Sequence, residues 1–235
     1  IKDAADKSGN ILTDFTENDL FTIDTENPEA SSINLDRALI NRPNNTIELQ
    51  ITFNKQMNGA IDPTIVVNGT SNMSDNSDGS WIGGNLIYTI TFNHDLTEEA
   101  LNNINFDITD AEDVAGNLMD PATSGNFNIN TKRPRIDFIS TSSSNGLYGP
   151  GDNINIQLIF DEDITVNGTP SLDLNTGGEA TFQNFTDNIV NFTYTVGAVN
   201  SGESTSDLDV DQFNMNGGEI KNLAGNDAEI VLPSN

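Results

Sequence analysis

The chain has no cysteine, one histidine, one tryptophan, and only nine basic residues against 36 acidic ones in 235. Without thiols there is no disulfide, no thiol nucleophile and no zinc-thiolate site. Nowhere do about 18 apolar residues run together, so no segment reads as a membrane-spanning helix. No basic-then-apolar signal segment follows Ile1, and the start reads as a cut inside a longer chain. The sole histidine, His94, has no nucleophile-elbow serine beside it, and no acidic pair is singled out, so catalysis is not expected. A net charge of −27 and a pI near 4.1 repel nucleic acid and anionic lipid, which excludes both as partners. Such a field also opposes compaction unless cations collect on the carboxylates, so divalent-cation binding is expected ahead of mere solubility.

What the chain does have is a repeated phrase. Asp113-Val114-Ala115-Gly116-Asn117 has an earlier version in Asp6-Lys7-Ser8-Gly9-Asn10 and a later one in Asn222-Leu223-Ala224-Gly225-Asn226. The spacings are 107 and 109 residues, from Gly9 to Gly116 and from Gly116 to Gly225. The exits of the first two copies also match, since Phe21-Thr-Ile23-Asp24-Thr25-x-x-Pro28 parallels Phe127-Asn-Ile129-Asn130-Thr131-x-x-Pro134. A fixed period of this kind marks a modular array. Gly-Asn between alternating runs is a hairpin signal, and the phrase reads as the closing turn of a β-module of roughly 105 residues. Three parts follow: 1–29, the closing hairpin and linker of a preceding module; 30–134, a full module; and 135–235, a second.

Within the first module Thr46–Phe53 alternates, with Ile47, Leu49, Ile51 and Phe53 on one face. Ser32–Leu35, Thr64–Val67, Leu86–Phe92, Ile104–Ile108 and Phe127–Ile129 read as further strands. In the second, Ile136–Ile139, Ile154–Phe160, Ser171–Leu174, Ala180–Phe182, Ile189–Val196, Phe213–Ile220 and Ala228–Leu232 do the same. About seven short strands per module with turns between them argue an all-β fold of tandem Greek-key sandwiches. One short helical turn is expected at Leu96–Leu101.

The first module resembles the bacterial Ig-like domains of surface-layer and cell-wall proteins, through Ile51-Thr-Phe53-Asn-Lys55-x-Met57, Tyr88-x-Ile90-x-Phe92 and Asp113-x-Ala-Gly-Asn117. The second resembles the Ig-like repeats of long bacterial adhesins, through Gly146-x-Tyr148-x-x-Gly151-Asp152-x-Ile154-x-Ile156, Val166-x-Gly168-x-Pro170-x-Leu172-x-Leu174 and Asn216-Gly217-Gly218-x-Ile220. Together these cover nearly the whole chain. The resemblance implies Ig-like, cadherin-like sandwiches that serve as non-catalytic spacers or adhesive modules at the bacterial cell surface, many of them stiffened by calcium.

Calcium takes hard oxygen ligands, and the acids sort to the module poles. If the strands run as in Ig-like domains, Asp152 meets the run Asp207-Leu208-Asp209-Val210-Asp211, whose alternation points Asp207, Asp209 and Asp211 to one side. Asp161 and Asp163 resemble the Asp-x-Asp element of cadherin-like junctions and face Asp95, Glu98 and Glu99. There Lys132 and Arg133 offer a salt-bridged alternative to the ion. The acidic linker residues Asp24 and Glu26, with Asp110 and Asp113, form the better calcium junction. Ser74–Gly79 departs from an EF-hand loop, lacking its first acid and carrying Asn85 where the bidentate Glu belongs, and reads as a polar hairpin loop. Trp81 is expected as a core or loop anchor rather than a sugar platform. Lys55 is a candidate for an isopeptide with an Asn, without a clearly placed acid to promote it.

These features add up to a calcium-stiffened, non-catalytic rod from a long secreted surface protein. Its partners are neighbouring Ig-like modules, with surface glycans or proteins beyond them. Two rivals stand beside it: a surface-layer or filament subunit that donates residues 1–29 to a neighbour, and a carbohydrate-binding accessory module, which needs Trp81 or Tyr88 exposed.

Overall fold

Alternating burial builds the first unit. In β3 (Thr46–Phe53) and β7 (Ile87–His94) every second residue is buried, placing Ile47, Leu49, Ile51 and Phe53 beside Tyr88, Ile90 and Phe92. The computed structural model describes residues 5, 7–10 and 22–233, so most of the expected closing hairpin at 1–29 lies outside the described residues.

The chain is all-β, with no helix among the described residues. Sheet one of the first unit runs β1 (Ala30–Leu35), β3, β7, then β5 (Met73–Asp75), with β6 (Ser80–Ile82) also on β7. Sheet two runs β2 (Leu39–Ile40), β10 (Phe127–Asn130), β8 (Ala100–Thr109), β4 (Thr64–Asn68), with β9 (Ala122–Thr123) on β8. Both sheets face one core. Phe106 lies 4.7 Å from Phe92 across it and 5.3 Å from Phe127 beside it, centroid to centroid.

The second unit has a six-stranded sheet ordered β11 (Ile136–Thr141), β12 (Asn153–Phe160), β16 (Ile189–Thr195), β15 (Glu179–Thr186), β14 (Ser171–Leu174), β17 (Val210–Asn214). A separate pair joins β13 (Ile164–Asn167) to β18 (Glu219–Asn222). Its core centres on Leu158, Leu172, Val190, Phe192 and Ile220 and is distinct from that of the first unit.

The structure differs from the sequence expectations in four places. Phe213–Ile220 is two strands, because Asn216 and Gly217 both take positive φ and turn the chain from β17 to β18. Ala228–Leu232 is no regular strand, although Ala228, Ile230 and Leu232 pack on the core. Leu96–Leu101 is not helical. Leu96 sits at φ 67°, Asp95 Oδ1 accepts the Thr97 N–H, and His94 Nδ1 accepts that of Leu96, so side chains take the amides a helix needs. Nor is Ser74–Gly79 the tip of a hairpin: β5 and β6 lie in series along one edge of β7, and the chain bulges out between them. Asp78 Oδ1 ties the bulge to the Thr91 N–H at 2.9 Å. Gly79 is required there, since a Cβ would stand 2.0 Å from the Tyr88 hydroxyl.

Trp81 packs on Phe53 and Tyr88 in the first unit and is the chain's only tryptophan. Phe106→Ala is therefore expected to cost ~3–5 kcal/mol and to shift the urea transition seen by Trp81 fluorescence. Phe192→Ala, in the other core, shifts the circular-dichroism transition while leaving the tryptophan signal in place.

Candidate functional site

The repeated phrase builds the same turn twice. Asp113 N–H donates to the Asn117 carbonyl at 3.0 Å and Gly116 N–H to the Asp113 carbonyl at 3.1 Å; Asn222, Asn226 and Gly225 repeat this at 3.0 and 2.9 Å. Gly116 and Gly225 both sit at φ 87°, the left-handed position that closes a three-residue hairpin loop. The asparagine after each glycine is not in that region. Its amide has another task.

Asn226 Nδ2 donates to the Asn130 carbonyl at 2.8 Å, and Asn222 Nδ2 donates to the Lys132 carbonyl at 3.1 Å. One unit earlier, Asn117 Nδ2 donates to the Asp24 carbonyl at 3.2 Å, and Lys55 Nζ donates to the Glu26 carbonyl at 2.7 Å. Alternate carbonyls of the linker entering each unit are therefore held, by Asn117 and Lys55 in the first and by Asn226 and Asn222 in the second. Pro28 and Pro134 complete the grip, accepting from Asp120 N–H at 3.0 Å and Glu229 N–H at 2.9 Å. We call the arrangement a linker clasp.

The two clasps use opposite electrostatics. In the first, Lys55 Nζ lies 2.9 Å from both Asp24 carboxylate oxygens and 3.3 Å from Asp113 Oδ2. Burial pushes the Asp113 carboxyl up, but hydrogen bonds from the Asn117 side chain and backbone, Lys55 and the Ala115 amide outweigh it, leaving a pKa of about 2. The Lys55 hydrogen bond, with that of Glu26 N–H, lowers Asp24, and the Asp24 bond raises Lys55. In the second clasp Asn222 replaces Asp113, and Glu162 follows β12 as Lys55 follows β3. Burial raises the Glu162 pKa, partly offset by the Asn222 amide at 3.2 Å and the charge of Lys132.

At the junction between the units, Asn226 Oδ1 accepts the Arg42 N–H at 2.7 Å, and Asn41 Nδ2 donates to the Ala224 carbonyl at 2.6 Å. Arg42 Nε reaches the Thr131 carbonyl at 2.7 Å. Arg135 makes a bidentate pair with Glu98, at 2.7 and 3.0 Å, and reaches Glu229 at 2.7 Å. Its hydrogen bonds hold Glu98 below the usual carboxylate range.

The expected calcium ligands are distributed differently. Asp24 and Asp113 do come together, but around the Lys55 ammonium. Glu26 contributes its carbonyl, and Asp110 turns away to accept the Thr109 hydroxyl at 2.8 Å. Asp161 accepts the Arg135 N–H at 2.8 Å, and Asp163 points to solvent. Asp152 closes its own turn on Gly149 N–H at 2.7 Å. Asp209 is tied through its backbone to Asn175, and Asp207 and Asp211 are exposed. Calcium takes six to eight oxygens. Among the described residues no group of three or more His, Asp or Glu is brought together. The salt-bridging cations at the central junction are Arg42 and Arg135 rather than Lys132 and Arg133. Asp95 caps its own loop, and Glu99 turns inward to His94, Thr70 and Asn72.

Packing places two further side chains. Tyr88 is buried and Trp81 half-buried against it, so this pair presents no flat aromatic face. His94 is buried with both ring nitrogens engaged, by Leu96 N–H and Glu99. The roles of Arg42, Arg135 and the turn asparagines were missed from sequence. One signal was available: an Asn ending all three copies of a turn whose positive φ needs only the glycine.

Asp113→Asn tests the first clasp with the residue that the second clasp already uses. A depressed carboxyl contributes stability that is present above its unfolded pKa of 3.8 and lost as pH falls through its folded value of about 2. The wild-type first unit is thus expected to lose stability from about pH 4 downward, by Trp81 fluorescence. The variant shows a shallower loss there and, at neutral pH, a deficit of ~1–3 kcal/mol from the broken Lys55 bond.

No family model, no curated protein and no solved structure matches this chain.

Proposed function

We propose that the chain is a stretch of a tandem array of Ig-like sandwiches that works outside a bacterial cell as a stiff, non-catalytic rod. Its task is to carry or link adhesive parts. The observation that carries this reading is the recurrence of the linker clasp at both units: corresponding backbone carbonyls of the linker are held in each, although the side chain that follows β3 or β12 changes sign, Lys55 to Glu162. A joint that keeps its geometry while its charges are exchanged is a joint selected for shape. The bidentate Arg135–Glu98 pair and the buried Asn226 add contacts that a free hinge lacks.

Other features agree. The strongly acidic surface suits a protein exposed to bulk solvent and salt, and the repeat period suits an array in which each unit touches its neighbours alone. The engagement of His94 in loop packing supports a structural rather than catalytic chain. In this reading ion pairs and carbonyl capture stiffen the joints, in place of the calcium that the acidic poles suggest.

Residual dipolar couplings from the two units are expected to fit a single relative orientation. The double variant Asn226→Ala, Arg135→Ala broadens that orientation while both cores stay folded. Wild-type units that already tumble separately would end the rod reading. Thermal unfolding in calcium and in chelator is expected to give equal midpoints, because an ion that binds only the folded state raises the midpoint. A calcium-dependent rise would return the joint to the metal.

A further inference from the structure

His94 ends β7 as the last inward-facing residue of that strand, and its side chain is fully buried. It is the chain's sole histidine, and histidine is the side chain whose charge ordinarily changes between about pH 5 and 8. The hydrogen bonds around the ring assign its tautomer. Nδ1 accepts the Leu96 N–H at 2.9 Å and so carries no proton, while the proton on Nε2 points to Glu99 Oε1 at 2.8 Å. A ring in this state is neutral. A proton arriving at Nδ1 sets donor against donor at the Leu96 amide.

Which side yields depends on how firmly each is held. Glu99 fixes the ring through the other nitrogen, and its carboxylate is held in turn by the Thr70 hydroxyl at 2.9 Å and the Asn72 amide at 2.8 Å. The His94 backbone is fixed as well, donating to the Asn45 carbonyl at 2.8 Å and accepting Asn45 Nδ2 at 3.2 Å. Leu96 is held less firmly. It sits at φ 67°, in the left-handed region that a leucine occupies at a cost, and the ring is the acceptor that keeps its amide there. The charged groups around the ring are Glu99 in contact, Asp95 beside it, and Glu98 and Arg42 across the loop; the segment before β5 presents neutral Thr70 and Asn72. An imidazolium formed there keeps Glu99 as its ion partner, so the ring stays and the loop moves.

That loop connects directly to the joint between the units. Two side chains close its turn, Nδ1 of His94 on the Leu96 N–H and Oδ1 of Asp95 on the Thr97 N–H, and protonation of the ring removes the first. The Leu96 carbonyl accepts Arg42 Nη2 at 3.2 Å, the Thr97 carbonyl accepts the Thr131 hydroxyl at 2.6 Å, and Glu98 takes Arg135 in its bidentate pair. Three consecutive residues thus each bind a different part of the joint.

We propose that His94 is a proton-operated catch on the joint: its protonation in mild acid releases the 95–98 loop and, with it, the Glu98–Arg135 pair, so that the units swing while both stay folded. The inference rests on the stiff-joint reading for its consequence, but the release itself is local. It acts above the acid range in which Asp113 weakens the first clasp.

Nuclear magnetic resonance of the chain from about pH 7.5 to about pH 5 tests it, a range in which carboxylates ordinarily keep their charge. The ring is expected as the Nε2–H tautomer at the upper end and doubly protonated at the lower. As it titrates, the Leu96 amide loses about tenfold in exchange protection, corrected for the intrinsic effect of pH, as befits one lost hydrogen bond. The Arg135 guanidinium begins to rotate rapidly, and the dipolar couplings pass from one relative orientation to a spread. His94→Asn offers the Leu96 amide an acceptor as Asp95 does for Thr97, and it does not titrate. It is expected to keep Leu96 protected and Arg135 fixed throughout, with Trp81 fluorescence reporting a folded first unit. The wild-type titration decides alone if that variant fails to fold. A ring that gains no proton in this range overturns the proposal, as do Leu96 and Arg135 signals that ignore its titration, or the same response in a folded His94→Asn. Units that already tumble separately at about pH 7.5 end only the rod reading, because Leu96 and Arg135 still report whether the catch releases.

Discussion

Backbone carbonyls that leave a strand and enter a linker have no ladder partner, and the structure depends on how this chain satisfies them. A linker that found only water would swing. Here Asn117 of the closing turn and Lys55 just after β3, and then Asn226 and Asn222 of the later turn, take alternate carbonyls of the incoming segment. The bonds are short-range and mostly shielded, so their strength varies little with salt compared with surface charge pairs. The turn that ends a unit is also the device that fixes how the unit is entered. One hairpin thereby sets both the closure of a core and the direction of the chain before it.

The same frame tolerates opposite chemistry. Lys55 between Asp24 and Asp113 makes a charged clasp, which needs all three groups because Asp113 is buried and an unpaired buried carboxylate is costly. Asn222 with Asn226 makes a neutral clasp of amide and carbonyl dipoles, with half-buried Glu162 at its rim. The first loses stability in acid; in the second, burial favours the neutral form of Glu162 instead. Both reach the same carbonyls, so geometry, not charge, is common to the two.

Much of the β-architecture was legible in the sequence because period-two alternation and the Gly-Asn turns are local signals. Thr46–Phe53 and Ser171–Leu174 were bounded as they occur. Strands whose pairing is decided by distant residues were not. β5 and β6 are three residues each, and nothing in Met73–Ile82 alone says that both line the same edge of β7. The acidic clusters misled for a related reason. Sequence shows how many carboxylates lie near a pole but not which cation arrives there, and Lys55, Arg42 and Arg135 come from strand ends far away in the chain. The Asp-rich run at 207–211 does not form the alternating strand expected: Asp207 lies in a bend, the pairing of β17 skips Asp211, and Asp209 enters the Asn175 turn through its backbone.

Four of the nine basic residues, Arg42, Lys55, Arg135 and Lys221, are committed to ion pairs within or between the units, and Arg37 pairs with its neighbour Asp36. The flanks are left almost purely anionic. Two such chains laid side by side repel over a range set by the Debye length, roughly 8 Å in physiological salt. A dense layer of them would behave as a polyelectrolyte brush, each member held upright by its neighbours' charge and collapsing toward them only as salt rises.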